Sequence, residues 1–434
     1  MLVEAARPRV IRDHPQAGWL AVATVCFGAF MGQLDASIVT LTFPALEDSF
    51  SAPLAAVQWV SLCYLLTLVG VITAAGRLAD AFGRKLFYLY GFLVFTGASA
   101  ACGLAGSLAV LIGFRVVQAL GAAMLQANSV ALVVTSVRPD QVRAGLGVQA
   151  AAQALGLAMG PALGGVLVAE FGWRSVFWVN VPIGVVALVA GRYLLPRTRN
   201  KHPIGVFDWL GLGLLALTST AALLALSALS GLTMPAWLSL ALSLIALLAL
   251  AGFVVRLRRA RSPLVRPSVL AKLPVAAGLA GALCGYLVLF GPLALFPQAG
   301  TVAPLALTAL PLGFAVAAVF GGGRGSARVR ALAGGLVAAC AAGLLIPWPS
   351  AVWLALLGLG LGVFIPANNA AVMAAIPADM AATGGGLVNM TRGLGTALGV
   401  AAVTLSLHVA GTPLALSALA VVALLAAATG VAAR

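Results

Sequence analysis

With 434 residues, 62% of them apolar and only 8% charged, the chain lacks the polar surface of a water-soluble fold, where about 25% charge is usual. That balance excludes a soluble enzyme or binding domain and leaves lipid as the solvent for most of the surface. A formal charge of +15 in a soluble protein would suggest nucleic acid, but here the bases lie in short gaps between apolar runs, so they are read as topology signals and no nucleic-acid partner is expected.

Residues 1–16 form a basic tail carrying Arg7, Arg9 and Arg12. No small-residue cleavage site closes the next apolar run at signal-peptide length, so that run is read as a retained first helix. Apolar runs of about 20 residues, each able to cross a ~30 Å hydrocarbon core, then recur along the chain. They predict helices over 17–42, 54–77, 86–106, 108–135, 143–168, 176–195, 208–230, 236–256, 274–296, 302–321, 331–347, 350–373, 383–409 and 413–432. A helix satisfies its own backbone in lipid, and the strict alternation of a membrane barrel strand is absent.

The bases orient these helices. Three precede the first helix, three lie between the second and third, and two between the fourth and fifth. Four lie between the sixth and seventh, six between the eighth and ninth, three between the tenth and eleventh, and one at the end: 22 of 25 on one side. The opposite gaps hold Arg174, while Arg115 and Arg392 fall inside helices. This asymmetry predicts an even number of spans with both termini cytoplasmic, in the cell's inner (cytoplasmic) membrane. The five cysteines all sit in apolar runs without a CxxC spacing, and the three histidines form no cluster, so no metal or cofactor is expected.

The first helix contains Gln33-Leu34-Asp35-Ala-Ser37-Ile-Val-Thr40-Leu-Thr-Phe-Pro44, and Asp35 is the acid placed well inside a helix. Charge at that depth is unfavourable by roughly 3 kcal/mol unless paired or hydrated, so it marks a functional position. Between the second and third helices runs Gly76-Arg-Leu-Ala-Asp80-Ala-Phe-Gly83-Arg84-Lys85; its glycines suit close helix approach and a tight turn, and Arg84 and Lys85 suit surface phosphates or carboxylates. The fourth helix carries Arg115-Val-Val-Gln118-Ala-Leu-Gly121. At 1.5 Å per residue, Asp35 and Arg115 lie about 12 Å and about 10 Å below the outer face, so they can pair. In the fifth helix Ala152, Gly156, Gly160 and Gly164 repeat at i+4, beside Pro161 and Gly165, giving a smooth packing face with a bend. Then come Trp173-Arg174-Ser-Val-Phe-Trp178-Val-Asn180-Val-Pro182, and in the thirteenth helix Asn389-Met-Thr391-Arg392-Gly-Leu-Gly395. Gln33, Gln118, Gln126, Asn128, Gln153, Asn368, Asn389 and Arg392 are the polar side chains expected to line a substrate cavity.

An internal repeat at an offset of 239 residues matches Gly121, Asp140, Gly156 and Gly160 to Gly360, Asp379, Gly395 and Gly399, with ten identities in 40 positions. It pairs the fourth and fifth helices with the twelfth and thirteenth in the same orientation, as parallel six-helix halves would. This divides the chain into an N-terminal bundle at 17–195, two linking helices with basic loops in 196–273, and a C-terminal bundle at 274–434.

These segments together resemble the major facilitator superfamily, and within it the fourteen-helix drug:proton antiporters, over nearly the whole chain. The resemblance implies an all-α fold of two six-helix bundles around a midplane cavity plus two extra central helices. It implies proton-driven efflux of a small lipophilic drug, antibiotic or secondary metabolite by alternating access, by a protein working as a monomer in the bilayer. The proton would be the coupling ion, carried by Asp35 with Arg115; the glycine usual after the glutamine of the arginine motif is Ala119 here. Asp80 would latch onto the helix start at Thr383–Gly386 and close a cytoplasmic gate formed with Gly76, Gly83, Arg84 and Lys85. The second copy of that loop, Gly321-Gly-Gly-Arg324-Gly-Ser-Ala-Arg328, has lost its acid, and no acid lies within the last six helices. A symporter or importer on the same fold is the nearest alternative. A membrane receptor or enzyme is more distant, because no converging His/Asp or Ser/His set lies in the apolar segments.

Overall fold

The computed structural model describes residues 7–198, 208–260, 267–320, 326–376 and 381–432, with the side chains of Arg143, Phe320, 381–386 and 431–432 left aside. Among the described residues there is no strand. The main helices are α1 (Ala17–Ile38), α2 (Trp59–Phe82), α3 (Arg84–Gly103), α4 (Leu108–Ser136), α5 (Val142–Phe171), α6 (Asn180–Leu194) and α7 (Trp209–Leu229). They continue with α8 (Ala236–Arg259), α9 (Leu273–Ala299), α10 (Ala309–Phe320), α11 (Ala327–Leu344), α12 (Ala351–Ala375), α13 (381–409) and α14 (412–432).

Twelve helical stretches among the described residues are long and apolar enough to span a bilayer. The last of them joins α13 and α14, which are separated by non-helical backbone at Ala410 and at Gly411, whose φ of 73° suits a residue without a side chain. Dividing it there, and counting the shorter apolar stretch Pro304–Val319, gives the fourteen segments expected from hydropathy. The first helix differs from expectation: α1 tightens into a 3-10 turn at Val39–Thr42 and continues as Phe43–Phe50, so Glu47 and Asp48 lie on a helical extension. The outward-facing apolar surface is plainest on α8, whose most apolar 18-residue stretch has a mean hydropathy of 2.6 and which exposes Trp237, Leu240, Leu244 and Leu247.

Two compact units divide the chain. The first comprises Met1–Ala45 with Val71–Gly205, the second Leu46–Gly70 with Val206–Arg434. Within the first, α3 and α4 approach so closely that a methyl group on Gly121 would meet Gly91 O at 2.9 Å and Phe95 N at 2.5 Å. Within the second, α11 and α12 do the same: a methyl on Gly360 would meet Gly334 O at 2.7 Å and Ala338 N at 2.6 Å. The repeat seen in sequence is therefore a repeat of backbone contacts, as expected where small residues, not apolar burial, bring helices together in lipid. The α7–α8 pair belongs to the second unit. Asp208 caps α7 by accepting from Gly211 N at 3.0 Å and binds Arg256 of α8 at 2.8 Å. At the other end of α7, Ser227 accepts from Gln58 and Trp59, both at 3.0 Å.

Candidate functional site

Asp35 lies on the last turns of α1 with no exposed surface. The hydroxyls around it return to the helix: Ser37 donates to the carbonyls of Gln33 and Leu34, and Thr40 to that of Ser37. Arg115 of α4, 1% exposed, places Nη1 at 2.6 Å from Asp35 Oδ2. The shared depth inferred from the sequence is thus a direct ion pair. In a low-dielectric interior such an attraction is strong, and removing either partner leaves an uncompensated buried charge.

Four further side chains complete the network. Gln118, one turn along α4, accepts from Arg115 Nη1 at 2.6 Å through Oε1 and donates through Nε2 to Asp35 Oδ1 at 2.9 Å. Its Nε2 also donates to Ser99 Oγ on α3 at 2.7 Å. Asn180, the first residue of α6, donates to Asp35 Oδ1 at 3.3 Å. The ring of Phe177 lies 5.9 Å from the Arg115 guanidinium carbon, within cation–π range. The carboxylate is held by one cationic and two amide donors, while one face of the guanidinium meets an aromatic ring. Cys102 Sγ lies 3.9 Å from Gln118 Oε1.

This geometry corrects the assignment of Gln118 to the substrate cavity. Gln118 is fully buried and both ends of its amide are engaged, so it belongs to the ion-pair network. Asn128 is also buried, donating to Met124 O at 2.8 Å on its own helix. Asn368 donates to Gly278 O at 2.7 Å, a helix–helix bond of the second unit. Asn389 and Arg392 are half-buried on α13.

Gln33, Gln126 and Gln153 do come together. With Gly28, Ala29, Leu125 and Ser129 they line a small open concavity in the first unit. Gln33 and Asp35, two residues apart, project about 200° apart on a helix of 3.6 residues per turn. The same helix can therefore present an amide to the concavity and an acid to the buried network.

The smooth face of α5 backs the opposite side of α1. A methyl on Gly156 would collide with Phe30 O, one on Gly160 with the Ser37 hydroxyl, and one on Gly164 would meet Ile38 Cγ1 at 2.9 Å. Their repeat counterparts on α13, Gly395 and Gly399, press on Leu283 O and Leu287 O of α9 at 2.5 and 2.7 Å by the same measure. Pro161 lies inside α5, buried between these contacts, and Gly165 is half-buried beside them.

The segment between α2 and α3 is assembled differently from expectation. Gly83 has a φ of 119°, open to glycine and strained for other residues, and so forms the turn. Gly76 is not at a close approach: a methyl there would meet Ala127 Cβ at an ordinary 3.8 Å. Asp80 binds Arg84 at 2.7 Å, an i,i+4 pair at the surface. Lys85 is not a surface cation. It is fully buried and donates to the carbonyls of Arg192 and Leu195 at 2.9 and 2.8 Å, capping α6 where carbonyls lack helical partners. The intended receiver of Asp80, at 383–386, lies outside the described side chains, and the second copy of the loop at 321–324 lies outside the described residues.

The family model of the Major Facilitator Superfamily matches residues 25–208. The tetracenomycin C resistance and export protein of Streptomyces glaucescens is 31% identical over 417 residues, covering 90% of this chain and 76% of its own length. This chain belongs to the major facilitator superfamily. The methylenomycin A resistance protein of Bacillus subtilis (strain 168) is 30% identical over 417 residues, covering 91% of this chain and 89% of its own length. Among solved structures, the POT family transporter PepTSo superposes with a TM-score of 0.71 at 14% identity over 96% of this chain and 97% of its own, a likeness of fold. The protein is therefore a multi-pass membrane transporter of this superfamily, acting on a small molecule from within the bilayer.

Sequence reading did not single out Ser99, Phe177, Ser129 or Asn180 as site residues. Asn180 carried a signal, an amide within the apolar run Phe177–Ile183. Ser99 carried none, since a small hydroxyl in a membrane helix usually bonds its own backbone.

Proposed function

We propose that this transporter exports a small lipophilic compound in exchange for protons, by alternating access, and works as a monomer with both termini in the cytoplasm. The observation that carries the reading is the Asp35–Arg115 pair, wholly buried in the first unit and satisfied by two amides. A single membrane-embedded acid that can be charged or neutral is the minimum a proton-coupled carrier needs, and such groups mark proton paths. The direction of transport is supported by the two relatives, one a resistance and export protein and the other a resistance protein. A compound of the antibiotic or secondary-metabolite kind follows from the same relatives. The residues lining the small concavity carry no formal charge, which favours an uncharged compound.

Counterflow in everted vesicles tests direction and coupling. Vesicles acidified inside should accumulate the compound, and collapse of the pH gradient should release it. Accumulation independent of the gradient, or only in right-side-out vesicles, would contradict export by proton exchange. A susceptibility panel in a pump-deficient host identifies the compound.

A further inference from the structure

The network around Asp35 holds one polar atom without a partner. Asn180 is fully buried; its Nδ2 donates to Asp35 Oδ1 at 3.3 Å, while its Oδ1, also buried, accepts from nothing. An unmet buried acceptor is unfavourable, and in a network otherwise satisfied within the protein it needs an explanation, which a change of partner supplies. The need for such a position arises as soon as Asp35 is neutralised. An ionised carboxylate only accepts, and three donors surround it; a protonated one has an O–H that must itself find an acceptor.

The other acceptors nearby are committed. Gln118 Oε1 is tied to Arg115 at 2.6 Å, and turning that amide would aim its NH₂ at the guanidinium. Ser99 Oγ already accepts from Gln118 at 2.7 Å. Asn180 is free of both constraints, because a half-turn about its Cβ–Cγ bond exchanges Nδ2 and Oδ1. One of its two polar atoms lacks a partner in either orientation, so that deficit favours neither protonation state.

We propose that Asn180 is a hydrogen-bond switch for the coupling proton, donating to ionised Asp35 and, after rotating its amide, accepting from protonated Asp35. This rests on the reading of Asp35 as the coupling acid. The proton arrives on water as hydronium, an O–H bond forms at Asp35 Oδ1, and the carrier leaves as water; release is the reverse. The buried network thereby gains one positive charge, since Arg115 stays protonated. Asn180 is a positioning residue at the first turn of α6, so the protonation state is passed to that helix. The titratable groups of the network are Asp35, Arg115 and Cys102. The helices packed on α6 also carry Cys26, Arg84, Lys85, Tyr88 and Tyr90, with Arg84 paired to Asp80, Lys85 engaged by the far end of α6 and Tyr88 by Val25 O.

Infrared difference spectra of the full-length protein in liposomes, titrated with acid, test the switch. The carbonyl band of protonated Asp35 is the one lost in Asp35→Asn. In Asn180→Leu, of similar shape but without an amide, that band should move to higher wavenumber because the O–H has lost its acceptor. Asn180→Ser, which both donates and accepts, should return it toward the wild-type position. Proton-driven export should fall about tenfold or more in the leucine variant and change its pH profile, while substrate binding stays within about twofold. Should the leucine variant fail to fold, Asn180→Ala gives the same spectral reading. An Asp35 band that does not move in either apolar variant overturns the role of Asn180 and leaves that of Asp35 standing. A wild-type spectrum with no Asp35 band at any pH overturns both.

Discussion

Replacing Arg115 by glutamine takes the guanidinium out of a fully buried pair. Removing one partner of such a pair destabilises by about 3–5 kcal/mol. Here the lower end applies, about 3 kcal/mol, because Gln118 Nε2 at 2.9 Å and Asn180 Nδ2 at 3.3 Å still donate to the carboxylate. In an Asp35→Asn background the same change removes guanidinium hydrogen bonds to neutral amides but also an unpaired buried charge, for a net cost of about 1 kcal/mol. The double-mutant cycle should therefore show a coupling of about 2 kcal/mol, roughly thirtyfold in an equilibrium constant. Cys63 and Cys102 are free thiols and buried, so with the exposed Cys340 and the half-buried Cys26 and Cys284 replaced by serine, a thiol-reactive dye in detergent reports unfolding. The double variant should lie only about 1 kcal/mol below Asp35→Asn, where additivity would place it about 3 kcal/mol below. Strict additivity of the two changes would refute the view that this pair is an energetic unit.

Other outcomes follow from the packing and the topology. Gly160→Val should disrupt the α1–α5 contact at Ser37, destabilise by roughly 1–3 kcal/mol and impair transport, whereas Gly147→Ala, where an added methyl meets nothing, should be tolerated; melting temperature and efflux check both. Lys85→Met should destabilise by roughly 1–3 kcal/mol by leaving the carbonyls of Arg192 and Leu195 without their donor, read by the same dye assay. Reporter fusions after Arg199 and after Arg261 should both read cytoplasmic; opposite signals would show that α7 and α8 do not each cross.

Much of this protein could be read from its sequence because lipid imposes few solutions. Runs of apolar residues must be helices, and a lone acid such as Asp35 inside one must have a reason to be there. Depth counting along α1 and α4 was enough to pair Asp35 with Arg115, because both helices are regular over that span. The glycine repeat carried equally well, since Gly156 and Gly160 in one half and Gly395 and Gly399 in the other touch backbone in the same way. Side-chain direction was not legible. Gln118 and Gln126 both sit on α4, yet one closes the ion-pair network and the other lines the concavity, and only packing distinguishes them. Lys85 resembled a surface charge by its neighbours, but the end of α6 lies over it, a contact 107 residues away in the chain.

The most direct test of proton coupling is substrate efflux from proteoliposomes driven by an imposed pH gradient, comparing the wild-type protein with Asp35→Asn. The asparagine keeps the shape and the amide contacts but cannot carry a proton through the cycle. It should bind the compound and equilibrate it, yet build no concentration gradient. If Asp35→Asn concentrates the compound at the wild-type rate, the proton travels by another group or the coupling ion is not a proton.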